Sequence, residues 1–398
     1  MSGDITLALV VAIALGFDFT NGFHDTANVV ATSISTHALA PKRAIGIASI
    51  LNFVGAFISL KVATTVGKGF VDTGIVTTDV IFAALLGAIT WNLITWYAGL
   101  PSSSSHAMIG GLVGAAVAAH GWGVANGHGI LTKLIEPALA SPLIAFFAAW
   151  IAVLAVYRIV GRLRPGPVAR GFRLGQLASG SLLAVSHGTN DAQKTMGVIA
   201  LALVAHGSIS AQHFHVPVWV VIASASAISL GTYTGGWRII KTMGSKIISM
   251  DPAQGFVAQT AGAAVILSAS AAGYPLSTTH VITGGIAGAG AGKRLSAVRW
   301  GVAREIVTAW ILTLPCAGAV AALIYALVHL FGRGDGGIIT ITLAGVLLLL
   351  VLFRRPPHPE PAASEIVAEL AARGSGRSPV ESGTEFAAPG ARERGGSQ

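Results

Sequence analysis

The chain has 398 residues, of which 53% are apolar and 10% charged, with a mean hydropathy of +0.72. An ordinary soluble domain carries about 25% charged residues, so this composition excludes a disordered chain or a coiled coil and argues against a soluble enzyme. A single cysteine, Cys316, rules out an internal disulfide framework. The formal charge of +9 raises the question of nucleic acid, but the placement of the basic residues answers it differently. What remains is an all-α polytopic membrane protein, in which long apolar runs face lipid.

Apolar segments recur from Ile5 to Phe353. No basic stretch precedes Ile5, so a cleaved signal peptide is not expected. Ile5 to Ala40 is apolar or small apart from a polar patch between Asp18 and Asn28. A straight helix of that length would be roughly 54 Å, against a hydrocarbon core of about 30 Å, which calls for a break or a steep tilt. Segments at 44–60, 80–100, 107–119 and 138–157 complete a first half, 1–157. An Arg-rich linker, 158–173, carries Arg158, Arg162, Arg164, Arg170 and Arg173. The second half, 174–353, holds segments at 174–205, 216–235, 256–273, 281–292, 302–330 and 338–353. From Arg354 to Gln398 the chain turns rich in Pro, Glu, Gly and Ser and reads as a disordered tail.

The Lys and Arg positions set the orientation. With the N-terminus outside, and with the segments around Pro101 and Pro275 folded as re-entrant helical hairpins, one side collects Lys42, Arg43, the five linker arginines, Arg238, Lys241, Lys246, Lys293, Arg294, Arg299, Arg304, Arg354 and Arg355. The other side holds Lys61, Lys68, Lys133 and Arg333. This bias predicts a multi-pass protein with a cytoplasmic tail, partnered by the lipid bilayer and not by nucleic acid. It also starts the two halves on opposite sides.

The halves share sequence. Gly22-Phe23-His24-Asp25 matches Gly188-Thr189-Asn190-Asp191, and the frame A-G-x-P-x-S-[ST]-[ST]-H-x-x-x-G-G occurs at 98–111 and again at 272–285. With opposite orientation, this is the pattern of an inverted-topology repeat with broken helices, the architecture of many secondary transporters. Among the acidic residues, Asp18, Asp25 and Asp191 fall at membrane depth, where an ionised group costs at least about 2.5–3.5 kcal/mol and implies function. Asp25 and Asp191 are matched across the repeat. Asp18 has no counterpart and is placed to cap a helix break.

Pro101 and Pro275 interrupt the helices, so Ser103, Ser104 and Ser105, and likewise Ser277, Thr278 and Thr279, fall at half-helix N-termini. Unpaired N–H groups and a positive dipole end suit an anion there. His106 and His280 close the clusters; with no further ligands at short spacing they are read as donors that fix the hydroxyl loops, not as metal ligands. His24 and His187 flank the two Asp motifs. His213 and His215 are read as a solvated pair. Lys194, the one intramembrane cation, is open to a structural ion pair or a substrate contact. No catalytic residues, resident metal or cofactor are expected.

Asn21-Gly22-Phe23-His24-Asp25-Thr26-Ala27-Asn28 and Gly188-Thr189-Asn190-Asp191-Ala192-Gln193-Lys194-Thr195-Met196-Gly197 resemble the two signatures of the inorganic phosphate transporter family, and both hydroxyl hairpins match it as well. The resemblance implies low-affinity-type phosphate uptake at the cell membrane by symport with H+ or Na+, in some members as a metal–phosphate complex, and a homodimer. By position it implies that Asp25, Asn28, Asn190 and Asp191 contact phosphate and coupling cation, with Asn21 adding a cation ligand. Ser103, Ser104, Ser277 and Thr278 would hydrogen-bond phosphate. His24 stands where Asn is common in the family, which leaves sodium and proton coupling both open. Two other readings compete. A sulfate permease would lack use for carboxylates that accept a phosphate proton. An intramembrane aspartyl protease, with Asp25 and Asp191 as a dyad, would not need the hydroxyl hairpins and lacks the G-x-G-D signature.

Overall fold

The computed structural model describes residues 2–332 and 335–353; the tail expected at 354–398 lies outside the described residues. The first half contains α1 (Ser2–Ser35), α2 (Pro41–Gly55), α3 (Lys61–Gly69), α4 (Thr78–Tyr97) and α5 (Ser104–His120). Then α6 (Gly127–Ile130) passes through a π turn at Leu131–Ile135 into α7 (Glu136–Val160). The second half contains α8 (Pro165–Ala205), α9 (Val218–Thr234), α10 (Trp237–Lys241), α11 (Pro252–Ala272), α12 (Thr278–Lys293), α13 (Trp300–Leu330) and α14 (Asp335–Phe353). The starts follow from local chemistry. Pro41 and Pro165 lie in first turns, where no N–H is needed. Asp251 and Gln254 form a reciprocal capping box on α11, which ends at Gly273 in the left-handed region.

Among the described residues, five helical stretches are long and apolar enough to cross a membrane: Gly3–Ser35, Thr78–Tyr97, Gly127–Val160, Pro252–Ala272 and Trp300–Leu330. A sixth is formed if α9 and the following Trp237–Lys246 stretch, bent by 63°, count as one span. Burial is arranged for lipid. Leu139, Ile151, Ile311 and Leu323 are each more than 60% exposed on α7 and α13, whereas Asp25, Asp191 and Lys194 are buried. Water would penalise that distribution; hydrocarbon favours it.

Inside, the buried apolar residues form two cores. Val10, Ala14 and Phe17 of α1 share the first with α3, α4, α5 and the C-terminal half of α8. Ala27, Val30 and Ile34 of α1 share the second with α2, α7, α11, α12 and Leu183 and Ala184 of α8. Helices α1 and α8 therefore each pass from one core to the other, in opposite senses, and their polar middles lie between the cores.

Of the break or steep tilt expected in α1, the break is absent, so there is no helix end for Asp18 to cap. Both α1 and α8 run unbroken through their signature motifs. Gly22 and Gly188 do not unwind the helix; they let another helix close on it. A Cβ on Gly22 would lie 2.3 Å from the Ile228 carbonyl oxygen of α9, and one on Gly188 would lie 2.1 Å from that of Asn52 on α2. The same pairing recurs at the hairpins. Gly110 of α5 meets the Leu314 carbonyl of α13, and Gly284 of α12 meets the Pro142 carbonyl of α7, with hypothetical Cβ distances of 2.6 and 2.3 Å. The helices are interrupted instead in the loops ahead of α5 and α12, around Pro101 and Pro275, and at the bend between α9 and α10. Part of the Arg-rich linker is helical as well: Arg170 and Arg173 ride on the first turns of α8.

Candidate functional site

The frame repeated at the hairpins specifies two N-caps. The Ser103 hydroxyl accepts from the His106 backbone N–H at 3.1 Å, and the Ser277 hydroxyl accepts from His280 N–H at 3.3 Å. Capping leaves the next hydroxyl of each cluster, on Ser104 and Thr278, inside the first turn. Ser105 Oγ donates to the Leu276 carbonyl at 3.2 Å, so the start of α5 touches the loop that leads into α12.

The two carboxylates meet these helix starts. Ser104 Oγ donates to Asp25 Oδ1 at 3.3 Å. Thr278 Oγ1 lies between the acids, 3.4 Å from Asp25 Oδ2 and 3.2 Å from Asp191 Oδ2. One hydroxyl has one hydrogen and satisfies one carboxylate at a time. Asn28 Nδ2 donates to Thr279 Oγ1 at 2.9 Å and to Thr278 Oγ1 at 3.3 Å. On the other half Lys194, three residues beyond Asp191 as Asn28 is beyond Asp25, reaches across in the same way. Its ammonium pairs with Asp191, donates to Ser105 Oγ at 2.5 Å and donates to the Leu276 carbonyl at 2.7 Å. Lys194 is thus an ion-pair partner that also holds the opposite hairpin.

The histidines divide into two roles. His24 Nδ1 lies 2.8 Å from Asp25 Oδ1, and its Nε2 lies 3.2 Å from Thr95 Oγ1. A carboxylate only accepts, so Nδ1 carries the proton in that contact. His187 Nε2 lies 3.1 Å from Asp191 Oδ2, and its Nδ1 lies 3.2 Å from Asn52 Oδ1. His106 and His280 do not fix the hydroxyl loops through their rings. Their backbone N–H groups do so, while the rings pack edge to face with centroids 4.7 Å apart and His280 stacks on Trp310. The Trp310 indole N–H then donates to the Pro101 carbonyl at 3.2 Å. His213 and His215 are exposed, as expected of a solvated pair.

Asn21 and Asn190, both buried, each leave the amide oxygen without a hydrogen-bond partner, a free ligand for a cation. Asn190 Nδ2 points elsewhere, donating to Ser270 Oγ at 2.8 Å. Ligand atoms of Asp25, His187 and Asp191 all fall within 4.8 Å of one another, close enough to share an ion. The sequence reading passed over this grouping and left His187 as a mere flank. Its one signal was the i, i+4 spacing to Asp191; the Asn52 contact that orients the ring joins residues 135 apart. Ser105 and Thr279 were also left out of the expected ligand set, although the repeated frame places them at equivalent positions. The protease geometry is not present: Lys194 neutralises Asp191, and the Thr278 hydroxyl intervenes between the acids.

A buried site of acids, hydroxyls and one ammonium, held between two helix N-termini inside an apolar helical bundle, defines a membrane transport protein. The Phosphate transporter family model matches residues 21–321, and the chain belongs to that family. A probable low-affinity inorganic phosphate transporter of Mycobacterium tuberculosis is 49% identical over 337 residues, covering 85% of this chain and 81% of that protein. Proteins of the same description from Rhizobium meliloti and Bacillus subtilis are 51% and 45% identical over 328 residues, each with 98% of its own length covered. Among solved structures, one described as the sodium-dependent phosphate transporter matches with a TM-score of 0.74 at 24% identity, covering 82% of this chain and 99% of that one. At that identity the likeness concerns the fold.

Proposed function

We propose that the protein takes up inorganic phosphate across the cell membrane by symport with a cation, H+ or Na+. The observation that carries this reading is the Thr278 hydroxyl set between Asp25 and Asp191 at the first turn of α12. Two carboxylates this close repel an anion and each other unless positive charge lies between them. Lys194 supplies one such charge, and the coupling cation supplies the rest, held by Asp25, Asp191 and the free amide oxygens of Asn21 and Asn190. Phosphate then binds against Ser103, Ser104, Ser277 and Thr278, with Asn28 beside them, in the field of both helix N-termini. A carboxylate accepts the proton that phosphate carries at neutral pH, which favours phosphate over sulfate. The Asp25, His187 and Asp191 grouping favours a second form of the cargo, a divalent metal–phosphate complex.

The paired contacts of α1 with α9 and α8 with α2, and of α5 with α13 and α12 with α7, support an inverted-topology repeat with two re-entrant hairpins. A homodimer, with the N-terminus outside, completes the proposal. Phosphate uptake into vesicles with sodium and proton gradients imposed separately tests it. One gradient drives accumulation and the other does not; uptake that neither accelerates removes the coupling.

A further inference from the structure

A row of buried polar side chains runs along α1 away from the phosphate site. One turn beyond Asn28, α1 carries Thr32 and Ser33, and a turn later Thr36, all buried. Gln259 of α11 donates through Nε2 to Thr32 Oγ1 at 2.7 Å and to Ser33 Oγ at 2.6 Å. Its Oε1 accepts from Ser179 Oγ of α8 at 2.7 Å. Thr36 Oγ1 donates to Gln176 Oε1 at 2.9 Å, and Gln176 Nε2 donates to the Pro252 carbonyl at 3.0 Å. The exposed Arg173 ends the row, its Nε donating to the Thr36 carbonyl at 3.1 Å.

The repeat allows a comparison within the one chain. Aligned on Asp25 and Asp191, Thr32, Ser33 and Thr36 correspond to Val198, Ile199 and Ala202, and Gln176 and Ser179 correspond to Val10 and Ile13. Aligned on the two hairpins, Gln259 corresponds to Leu85. All six counterparts are apolar and belong to the first core. One seam between α1 and α8 is therefore closed by hydrocarbon and the other by hydrogen bonds. Stability does not account for the difference, because apolar residues of matching shape can replace a buried hydrogen-bonded pair at little or no cost. What hydrogen bonds permit is exchange: water or an anion can take the place of each partner without hydrocarbon being exposed. The six side chains offer hydroxyl and amide donors, none is acidic, and the row leads to a guanidinium, which suits the passage of an anion.

We propose that this seam is the route by which phosphate leaves its site toward the cytoplasm: Thr32, Ser33, Ser179 and Gln259 part from one another, take up water and pass the anion toward Arg173. The proposal rests on the transport reading and the orientation given above, and adds the direction in which the substrate moves through the bundle.

Two measurements on the full chain test it. In a Cys316→Ala background, Ser179→Cys is expected to react with a membrane-impermeant charged methanethiosulfonate about tenfold faster in inside-out vesicles than in right-side-out ones. Ile199→Cys, in the apolar seam, is expected not to react from the cytoplasmic side. Separately, Gln259→Leu combined with Thr32→Val copies Leu85 and Val198 into the polar seam. This double variant is expected to lower the initial rate of phosphate uptake about tenfold, while binding of radiolabelled inorganic phosphate in detergent stays within about twofold. If the double variant does not fold, the labelling decides. Equal reaction of positions 179 and 199 from the cytoplasmic side, reaction of position 179 from the outside alone, or unchanged uptake by the double variant each overturn the route. Loss of binding in step with uptake also overturns it, since the seam would then serve the site and not the exit. Absence of uptake by the unsubstituted chain overturns the transport reading and the route with it, whereas intact uptake with position 179 unreactive from inside overturns the route alone.

Discussion

The two matched acids do different work, and substitution should separate them. Asp25 accepts from hydroxyls and His24, whereas Asp191 balances the buried ammonium of Lys194. Asp25→Asn and Asp191→Asn should each abolish coupled uptake, since the amide keeps the size but loses the charge that holds a cation. Asp191→Asn should also destabilise the fold by about 3–5 kcal/mol, because it leaves Lys194 charged and unpaired. Asp191→Asn combined with Lys194→Met should recover most of that loss; melting temperatures of the purified variants measure it. A melting temperature for Asp191→Asn equal to that of Asp25→Asn would refute the asymmetry. Ser104→Ala with Thr278→Ala should raise the half-saturation concentration for phosphate. Each hydrogen bond to a charged acceptor is worth about 1.5–3 kcal/mol, so initial uptake rates should show a shift of tenfold or more. An unchanged value would make the hairpins packing devices.

At the scale of elements, glycine sets how closely helices cross, and the crossings aim the site. Gly22→Ala and Gly188→Ala should each force α9 or α2 away from the signature helix, costing about 1–3 kcal/mol or more through overpacking. Gly46 of α2 has nothing within 4 Å of a Cβ position; Gly46→Ala should be neutral or stabilising by about 0.5–1 kcal/mol. Thermal unfolding of the three variants decides it, and equal effects at all three would mean that the crossings are loose. The repeat pattern led us to expect broken signature helices. They stay helical because α1 and α8 sit among other helices that satisfy their polar middles with side chains, and the carbonyls stay in the helical ladder.

For the whole molecule, sidedness is the open consequence of the charge pattern. In a Cys316→Ala background, Lys42→Cys and Lys68→Cys place thiols at two exposed positions expected on opposite faces. A membrane-impermeant maleimide added to intact cells should label position 68 and reach position 42 after permeabilisation. The reverse pattern would invert the topology and make the 354–398 tail extracellular.

The sequence by itself determined the solvent, the helical class, the two acid motifs and the two hydroxyl caps. Each of these is local: apolar runs, a scarcity of charge, a Pro followed by Ser and a backbone donor three residues on. Only the tertiary structure decided that Thr278 spans both acids, that Lys194 grips Ser105 and Leu276, and that Asn52 orients His187. These contacts join residues from 87 to 253 positions apart in the case of Thr278 alone. Each helical step turns a side chain by about 100°, so the partner a residue meets depends on which helix crosses there and how closely. That depends on the Gly22, Gly188, Gly110 and Gly284 approaches between distant helices, which no local pattern in the chain encodes.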